Sequence, residues 1–465
     1  MKKYNFQRLI PAILMVAFAG SAGAAGFQLM EQNASGLGNA YAGSAAVAAD
    51  ASTIYFNPAG LTYLPGMQVV AAVNAIDVDS RFSNRNSTNP ALITGQGGNG
   101  GQVGGLAFVP SLYFSMPLNP QWSVGLGINA PFGLKTEYDS NWVGRFHGVT
   151  SDVKTLNINP TLAFKVNDRV SLGAGVSWQR LKARLTSAAN AGGVVCSNIA
   201  FLSAPGGAAA CGGGALNNYE SSVELKGDDT GWGYNLGAMF QVSDATRLGL
   251  SYRSAIKYTV TGRATFQNPM VTTAGGLNVP ANAVIAGGLY NGGIKLDVKL
   301  PDTWIFSGEH KLNDRWELLG DVSWTGWAKI PKLDAVRTDG ALTGTTLSHT
   351  QENWRNTWRV ALGANYQYSD ALKLRMGTAY DQSPVDKDNY RTPRLPDNNR
   401  WWLSFGAQYK LSKTGVIDVG YSHLFVGDST ISNNGQGADT ASKGLLDGTY
   451  PNAVDILAVQ YTHNF

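Results

Sequence analysis

Fourteen stretches of alternating apolar and polar residues run from Gly66 to Phe465, and the connections between them are alternately very short and very long. From Trp401 to Leu411, the residues Trp401, Leu403, Phe405, Ala407, Tyr409 and Leu411 alternate with Trp402, Ser404, Gly406, Gln408 and Lys410. From Trp358 to Tyr368, Trp358, Val360, Leu362, Ala364, Tyr366 and Tyr368 alternate in the same way with small and polar residues. From Val170 to Trp178 the apolar set faces away from Ser171, Gly173, Gly175 and Ser177. A period of two is the signature of a strand with one apolar face. In a soluble sheet a second layer must cover that face, whereas in a transmembrane barrel lipid covers it and the polar face lines the lumen.

The connections choose between the two. Tight links fall at Pro117-Leu118-Asn119-Pro120, Asn167-Asp168, Ser243-Asp244-Ala245, Asn313-Asp314, Ser369-Asp370 and Ser412-Lys413. Long polar or Gly-rich spans lie near 79–104, 131–154, 187–219, 266–291, 334–351, 384–399 and 429–451. Six short and seven long connections in strict alternation require fourteen strands and place both termini on the short-turn side. In an outer-membrane barrel that side is periplasmic. The fold class expected is therefore all-β, a fourteen-stranded antiparallel transmembrane β-barrel over residues 66–465. Its last strand carries Leu457, Val459, Tyr461 and the terminal Phe465 on one face, the usual address for barrel assembly.

The N-terminus reads as an export leader over residues 1–24. Lys2, Lys3 and Arg8 precede an apolar core from Ile10 to Phe18, followed by the small-residue cleavage site Ala22-Gly23-Ala24. The apolar run is too short for a spanning helix and contains Pro11. Taking the three leader cations from 36 basic residues leaves 33 against 32 acidic ones, a near-neutral balance that argues against nucleic acid as a partner. Cys196 and Cys211 are the only cysteines and share one Gly/Ala-rich loop, so in an exported chain a disulfide is the favoured reading. Closing a loop of that size is worth roughly 3 kcal/mol in the chain-entropy model. Two cysteines without a nearby His make an incomplete metal site, and neither a metal nor an organic cofactor is expected.

Residues 25–65 break the strand pattern. They contain Ser35-Gly36-Leu37-Gly38 and Asn57-Pro58-Ala59-Gly60, with Asn57 placed to cap a helical turn that Pro58 begins. Phe27, Leu29, Leu37, Tyr41, Ile54, Tyr55, Phe56 and Leu61 are too apolar for a solvated tail. A compact helical plug inside the lumen is expected.

At these residues the chain resembles the FadL family of outer-membrane transporters for long-chain fatty acids and other hydrophobic compounds. The likeness is carried by Ala25-Gly26-Phe27-Gln28-Leu29, Ser35-Gly36-Leu37-Gly38, Ala40-Tyr41 with Gly43, and Asn57-Pro58-Ala59. It continues through Tyr252-Arg253-Ser254, Asp381-Gln382-Ser383-Pro384-Val385, Leu395-Pro396-Asp397 and Arg400-Trp401-Trp402-Leu403-Ser404. The resemblance implies passive uptake of a long-chain fatty acid by a monomer surrounded by outer-membrane lipid. Capture would occur on an apolar groove of the 187–219 and 266–291 loops, where Phe201, Leu216, Phe266, Met270, Val271, Val279, Val284, Ile285 and Leu289 lie. Packing of those residues on one another is the simpler alternative. The ligand would then enter a lumenal pocket gated by the N-terminal hatch, with Phe27 close to it.

In the family, basic residues at the upper ends of what are here the fifth and ninth strands hold the carboxylate. The resemblance therefore implies Arg180, Lys182 and Arg184, together with Lys329 and Lys332, as candidates. For any one of them, a cation balancing barrel carboxylates is the commoner role. The family's third strand is kinked beside the Asn-Pro-Ala of the hatch, opening a side window. Here that strand runs into Asn129-Ala130-Pro131-Phe132-Gly133. Proline removes a ladder hydrogen bond and Gly permits a bend, though Pro131 could equally mark the end of the strand.

Four other functions are weighed against this one. Monoaromatic hydrocarbons, carried by family relatives, would need no cation. An open diffusion porin conflicts with an apolar plug. A hydrolase finds no support, because His147, His310, His349, His423 and His463 sit in no catalytic or metal motif. A TonB-dependent transporter would need a larger plug and about twenty-two strands.

Overall fold

The computed structural model describes residues 26–196, 202–203, 205–214, 216–268, 270–272, 278–280, 289–435 and 440–465. The expected leader, Ala25, Phe201, Val284, Ile285 and the side chains of Val271 and Val279 lie outside the described residues.

The strands alternate an outward apolar face with an inward face that is mostly small or polar, as the period of two requires. The strands are β1 Gln68–Ser80, β2 Leu106–Pro117, β3 Trp122–Asn129 with Gly133–Glu137, β4 Thr150–Lys165 and β5 Val170–Asn190. There follow β6 Glu220–Ser243, β7 Thr246–Arg253 with Ile256–Gln267, β8 Gly292–Leu300 with Thr303–Lys311, and β9 Trp316–Thr325 with Lys332–Arg337. The last five are β10 Thr346–Gln351 with Thr357–Gln367, β11 Leu372–Asp381, β12 Arg400–Lys410, β13 Gly415–Asn433 and β14 Leu446–Asn464. Neighbours pair antiparallel, and β14 closes onto β1 from Gln68↔Asn464 to Ser80↔Asn452. The result is a closed fourteen-stranded barrel. Trp401, Leu403, Phe405, Trp358, Val360, Leu362, Leu457 and Val459 all lie exposed on its outer face. Lipid takes the place of the missing second layer.

All six short turns use one device. The side chain of Asn119, Asn167, Ser243, Asn313, Ser369 or Ser412 accepts a hydrogen bond from the backbone amide three residues on. Asn and Ser thereby satisfy a donor that the tight reversal would leave open. At the other end, strands continue past the limits that alternation suggests: β5 and β6 pair out to Asn190↔Glu220, and β13 and β14 to Asn433↔Leu446. Above the bilayer no lipid face demands apolar residues, so the period-two signal fades while the ladder persists. Cys196 and Cys211 form a disulfide in the β5–β6 loop.

Residues 26–65 lie inside the barrel. Two single-turn helices, α1 Ala34–Leu37 and α2 Thr53–Phe56, are followed by a 3-10 helix at Pro58–Tyr63. Asn33 caps α1 through Gly36 N, and Asn57 caps the 3-10 helix through Ala59 N. Leu37, Tyr41, Ile54 and Leu61 are almost wholly buried, packing with wall residues such as Val70, Tyr113, Trp402 and Ile456.

Candidate functional site

The wall is interrupted in five strands: at residues 130–132 in β3, 254–255 in β7, 301–302 in β8, 326–331 in β9 and 352–356 in β10. Three of these interruptions send an aromatic side chain into the lumen. Phe132 comes from β3, Trp327 from a 3-10 turn in β9, and Trp354 from β10. They gather around Phe27, whose ring centroid lies 5.7 Å from Phe132, 5.2 Å from Trp327 and 5.9 Å from Trp354. Leu134, Leu181, Ile256, Leu300, Ile330 and Leu395 complete an apolar cluster near the long-loop end. Tilted and edge-on aromatic contacts of this kind add roughly 0.5–1.5 kcal/mol each beyond area burial.

The break in β3 is a kink, since the strand resumes at Gly133. Its lower half pairs with both neighbours, whereas Gly133–Glu137 pairs only with β4. Pro131 has no amide hydrogen to give the ladder, but its carbonyl accepts the amide of Leu29 at 2.8 Å. The amide of Gly133 reaches the carbonyl of Phe27 at 2.9 Å, making Gln28↔Phe132 an isolated antiparallel bridge. The N-terminal segment thus occupies the ladder position that the upper half of β2 leaves vacant. A solvent-open cleft lies behind this place, running from Asp397 and Arg400 in the lumen to Gly104, Leu134 and Lys135 at the break. Asp397 forms an ion pair with buried Arg400 and accepts the amide of Gly26 at 2.9 Å. That contact anchors the start of the segment.

The other residues singled out from sequence fall into three groups. Asn129 is buried, donating to Tyr113 Oη at 3.3 Å and accepting from Asn157 at 2.9 Å just below the kink. Asn57, Pro58 and Ala59 do not sit beside the β3 break. They lie against β5 and β6, where a side chain at Gly237 would meet Asn57 Oδ1 at 1.9 Å and one at Gly173 would meet Ala59 N at 2.3 Å. Only glycine lets the plug backbone approach the wall so closely. It is Phe27 to Leu29, and not Asn57 to Ala59, that touch the kink.

The five candidate cations are placed outside the lumenal pocket. Arg180, Lys182 and Arg184 share the outward parity of Leu172 and Val176, and Arg180 and Arg184 pair with Asp228 and Glu224. Lys329 pairs with Asp302 at 2.5 Å and lies over the Trp324 ring, and exposed Lys332 pairs with Asp334 at 2.6 Å. Parity in β5 already contained this answer, because residues two apart with Leu172 face lipid or solvent. Leu216, Phe266 and Leu289 are buried against Ala191, Val195 and Ile294, so these loop residues pack on one another, while Met270 is half exposed. Sequence reasoning missed Trp327 and Trp354. The signal for Trp327 was a broken period bounded by Gly326 and Pro331.

Fold and site together define an outer-membrane β-barrel with an obstructed axis and an apolar cluster at a defect in its wall. The family model described as "Outer membrane protein transport protein (OMPP1/FadL/TodX)" matches residues 15–465, and the chain belongs to that family. A long-chain fatty acid transport protein of Escherichia coli O6:H1 is 32% identical over 456 residues, covering 96% of this chain and 98% of that protein. Outer membrane protein P1 of Haemophilus influenzae is 34% identical over 443 residues, covering 91% and 90%. Among solved structures, a FadL homologue from Pseudomonas aeruginosa superposes with a TM-score of 0.81 at 25% identity, covering 95% of this chain and all of that one. The Pseudomonas putida toluene transporter TodX shares the fold, with a TM-score of 0.62 at 18% identity over 90% of this chain and 94% of that one.

Proposed function

We propose that this protein is a passive uptake channel for long-chain fatty acids, in which residues 25–65 act as a hatch and residues 66–465 as the wall. Substrate leaves sideways through the β3 break. The observation that carries this reading is the Gln28↔Phe132 bridge at the kink, flanked by the aromatic cluster around Phe27. A tail entering that cluster gains roughly 0.8 kcal/mol per buried methylene, and the bilayer core offers the same gain on release. Transfer then runs downhill without nucleotide. The barrier lowered is the polar outer surface of the membrane. One chain is the working unit, because exposed apolar residues such as Val73, Leu172, Trp304 and Trp401 are spread over β1, β5, β8 and β12 for contact with lipid.

The test locks the bridge. Gln28 and Phe132 form a non-hydrogen-bonded antiparallel pair, a geometry with Cα atoms near 4.5 Å that admits a disulfide. Oleate uptake by cells carrying Gln28→Cys with Phe132→Cys should fall several-fold when oxidised and recover with reductant. Wild type treated identically controls for the native disulfide. Uptake indifferent to the lock would remove the side exit.

A second reading, uptake of monoaromatic hydrocarbons, is favoured by one observation: four aromatic rings, those of Phe27, Phe132, Trp327 and Trp354, meet in one apolar cluster. Competition decides it. Toluene that displaces labelled oleate at low concentration would make neutral aromatics the better substrate class.

A further inference from the structure

The outer face of the barrel carries its charges unevenly. Aromatic residues mark the upper limit of the lipid-facing band: Trp178 stands opposite Trp232, and Tyr252, Trp304, Trp324 and Trp358 stand each opposite the next. Such a girdle lies at the membrane–water interface. Beyond it, the outward positions of β5 to β8 turn basic. Lys182, Lys226, Lys257, Arg263, Lys295 and Lys299 are all exposed there, alongside Arg180 and Arg184. Arg184 and Lys226 stand six residues past Trp178 and Trp232. At about 3.3 Å per residue and a tilt near 45°, that is roughly 14 Å above the girdle.

Register sets these cations against one another. Arg184 is directly opposite Lys226, and Lys226 directly opposite Arg263, so positive charges cross three strands in one row. Lys257 is directly opposite Lys299. Side chains so placed have Cβ atoms about 5 Å apart, and like charges there repel. Neighbouring carboxylates of this face are already engaged: Asp228 with Arg180, Glu224 with Arg184, and Asp297 with the hydroxyl of Thr259 at 2.6 Å. Lys182, Lys226, Lys257, Arg263, Lys295 and Lys299 form no ion pair among the described residues. The loops joining these strands supply no anion either, because residues 191–219 and 268–291 contain no Asp or Glu.

The other side of the barrel has the opposite character. There β14 and β1 turn Asp455, Asp77 and Asp79 outward, with Asp77 directly opposite Asp455. A need for solubility above the membrane would not sort the two signs onto different walls.

We infer that the outer face of β5 to β8 binds the phosphorylated head of an outer-leaflet glycolipid of the lipid A type. Phosphate placed along the row of Arg184, Lys226 and Arg263 relieves its repulsion and accepts charge-assisted hydrogen bonds. Two observations select a lipid over a soluble anion. The cations stand directly above the aromatic girdle, where the surrounding leaflet carries its headgroups. Below the girdle, Val176, Leu236, Leu250 and Phe306 lie exposed on the same strands and give acyl chains a surface to cover. The inference concerns the lipid around the barrel and holds for either cargo.

The experiment measures equilibrium binding of fluorescently labelled lipid A, bis-phosphorylated or dephosphorylated, to the purified protein in nonionic detergent. The main variant combines Lys226→Gln, Arg263→Gln and Lys295→Gln, and a control combines Lys311→Gln, Lys410→Gln and Lys413→Gln at the short-turn end. Heat-modifiable gel mobility reports folding, and Lys226→Gln alone carries the test if the triple variant does not fold. The triple variant should bind phosphorylated lipid A at least tenfold more weakly and the single variant at least threefold, with the control within twofold of wild type. Lys226→Arg with Arg263→Lys and Lys295→Arg should keep most of the affinity, and the dephosphorylated lipid should be indifferent to every substitution. Unchanged binding in a folded variant overturns the inference, as does an equal loss for both lipids or wild type that binds neither. Labelled heparin is the soluble polyanion for comparison. If it binds wild type more tightly than lipid A does and weakens in the triple variant, the surface serves a soluble polyanion and the inference falls.

Discussion

Glu31 is the least comfortable residue in the plug. It is fully buried, neither carboxyl oxygen has a hydrogen-bond partner, and only its backbone carbonyl is engaged, by Asn74 Nδ2 at 2.8 Å. Burial pushes its pKa up to about 7, opposed by its own backbone amide, Arg400 and Arg359 and reinforced by Asp381. Because the folded state holds the proton more tightly than the unfolded chain, the stabilisation is complete below the ordinary glutamate range. It is lost as pH rises through about 7. A shift from 4.5 to about 7 corresponds to about 3 kcal/mol between acid and mildly alkaline conditions. In urea titrations the wild-type midpoint should fall between pH 5 and pH 8. Glu31→Gln should match wild type at pH 5, exceed it at pH 8 and show a flatter profile. A variant less stable than wild type at both pH values would mean that Glu31 acts as a paired anion instead.

At the scale of elements, the plug is held by close backbone approach as well as by side-chain hydrogen bonds such as those from Asn57 Nδ2 to the carbonyl of Ala238 at 3.1 Å and from Gln460 Nε2 to Asp50 at 2.9 Å. On β11, a side chain added at Gly377 would meet the backbone oxygen of Asn39 at 2.1 Å, and on β12 one at Gly406 would meet Gly38 Cα at 2.8 Å. Gly377→Val suits a strand and leaves the outer face untouched, so the barrel should fold. The plug should not seat, and single-channel recordings should show a several-fold rise in ion conductance over wild type. Conductance equal to wild type, with normal heat-modifiable mobility, would refute the claim that this contact seats the plug. Strand number, outward faces and turns were legible because lipid and tight reversals impose local rules on residues such as Trp401 and Asn167. Inward glycines such as Gly377 were visible too, but nothing local said which backbone they admit. Phe27 was legible as an apolar misfit in a tail. Its partners Trp327 and Trp354 were not, because strand breaks in β9 and β10 throw them inward, and a break is where periodicity stops informing. Arg180, Lys182 and Arg184 failed for the opposite reason: resemblance pointed to the end of β5, while the parity of Leu172 and Val176 had already turned those side chains outward.

For the whole molecule, the proposed side exit separates two kinds of traffic that an ordinary porin would carry together. Ions need a continuous aqueous path along the axis, where the plug buries Leu37, Tyr41, Ile54 and Leu61 against the wall. On that proposal a fatty acid would need only an apolar path from the cluster at Phe27 past the β3 kink to the bilayer, with the plug still seated. Conductance and oleate uptake should therefore respond to different substitutions. The oxidised Gln28→Cys, Phe132→Cys protein should lose oleate uptake while its ion conductance stays at the low wild-type level, because the bridge lies at the wall. Gly377→Val should conduct more strongly without taking up more oleate, because an aqueous path gives an alkyl chain nothing to bury against. Measured side by side in reconstituted bilayers and in cells, the two readouts distinguish side exit from axial passage. If both variants move conductance and uptake in the same direction, cargo and ions share one route through the plug, and the kink in β3 is structural only.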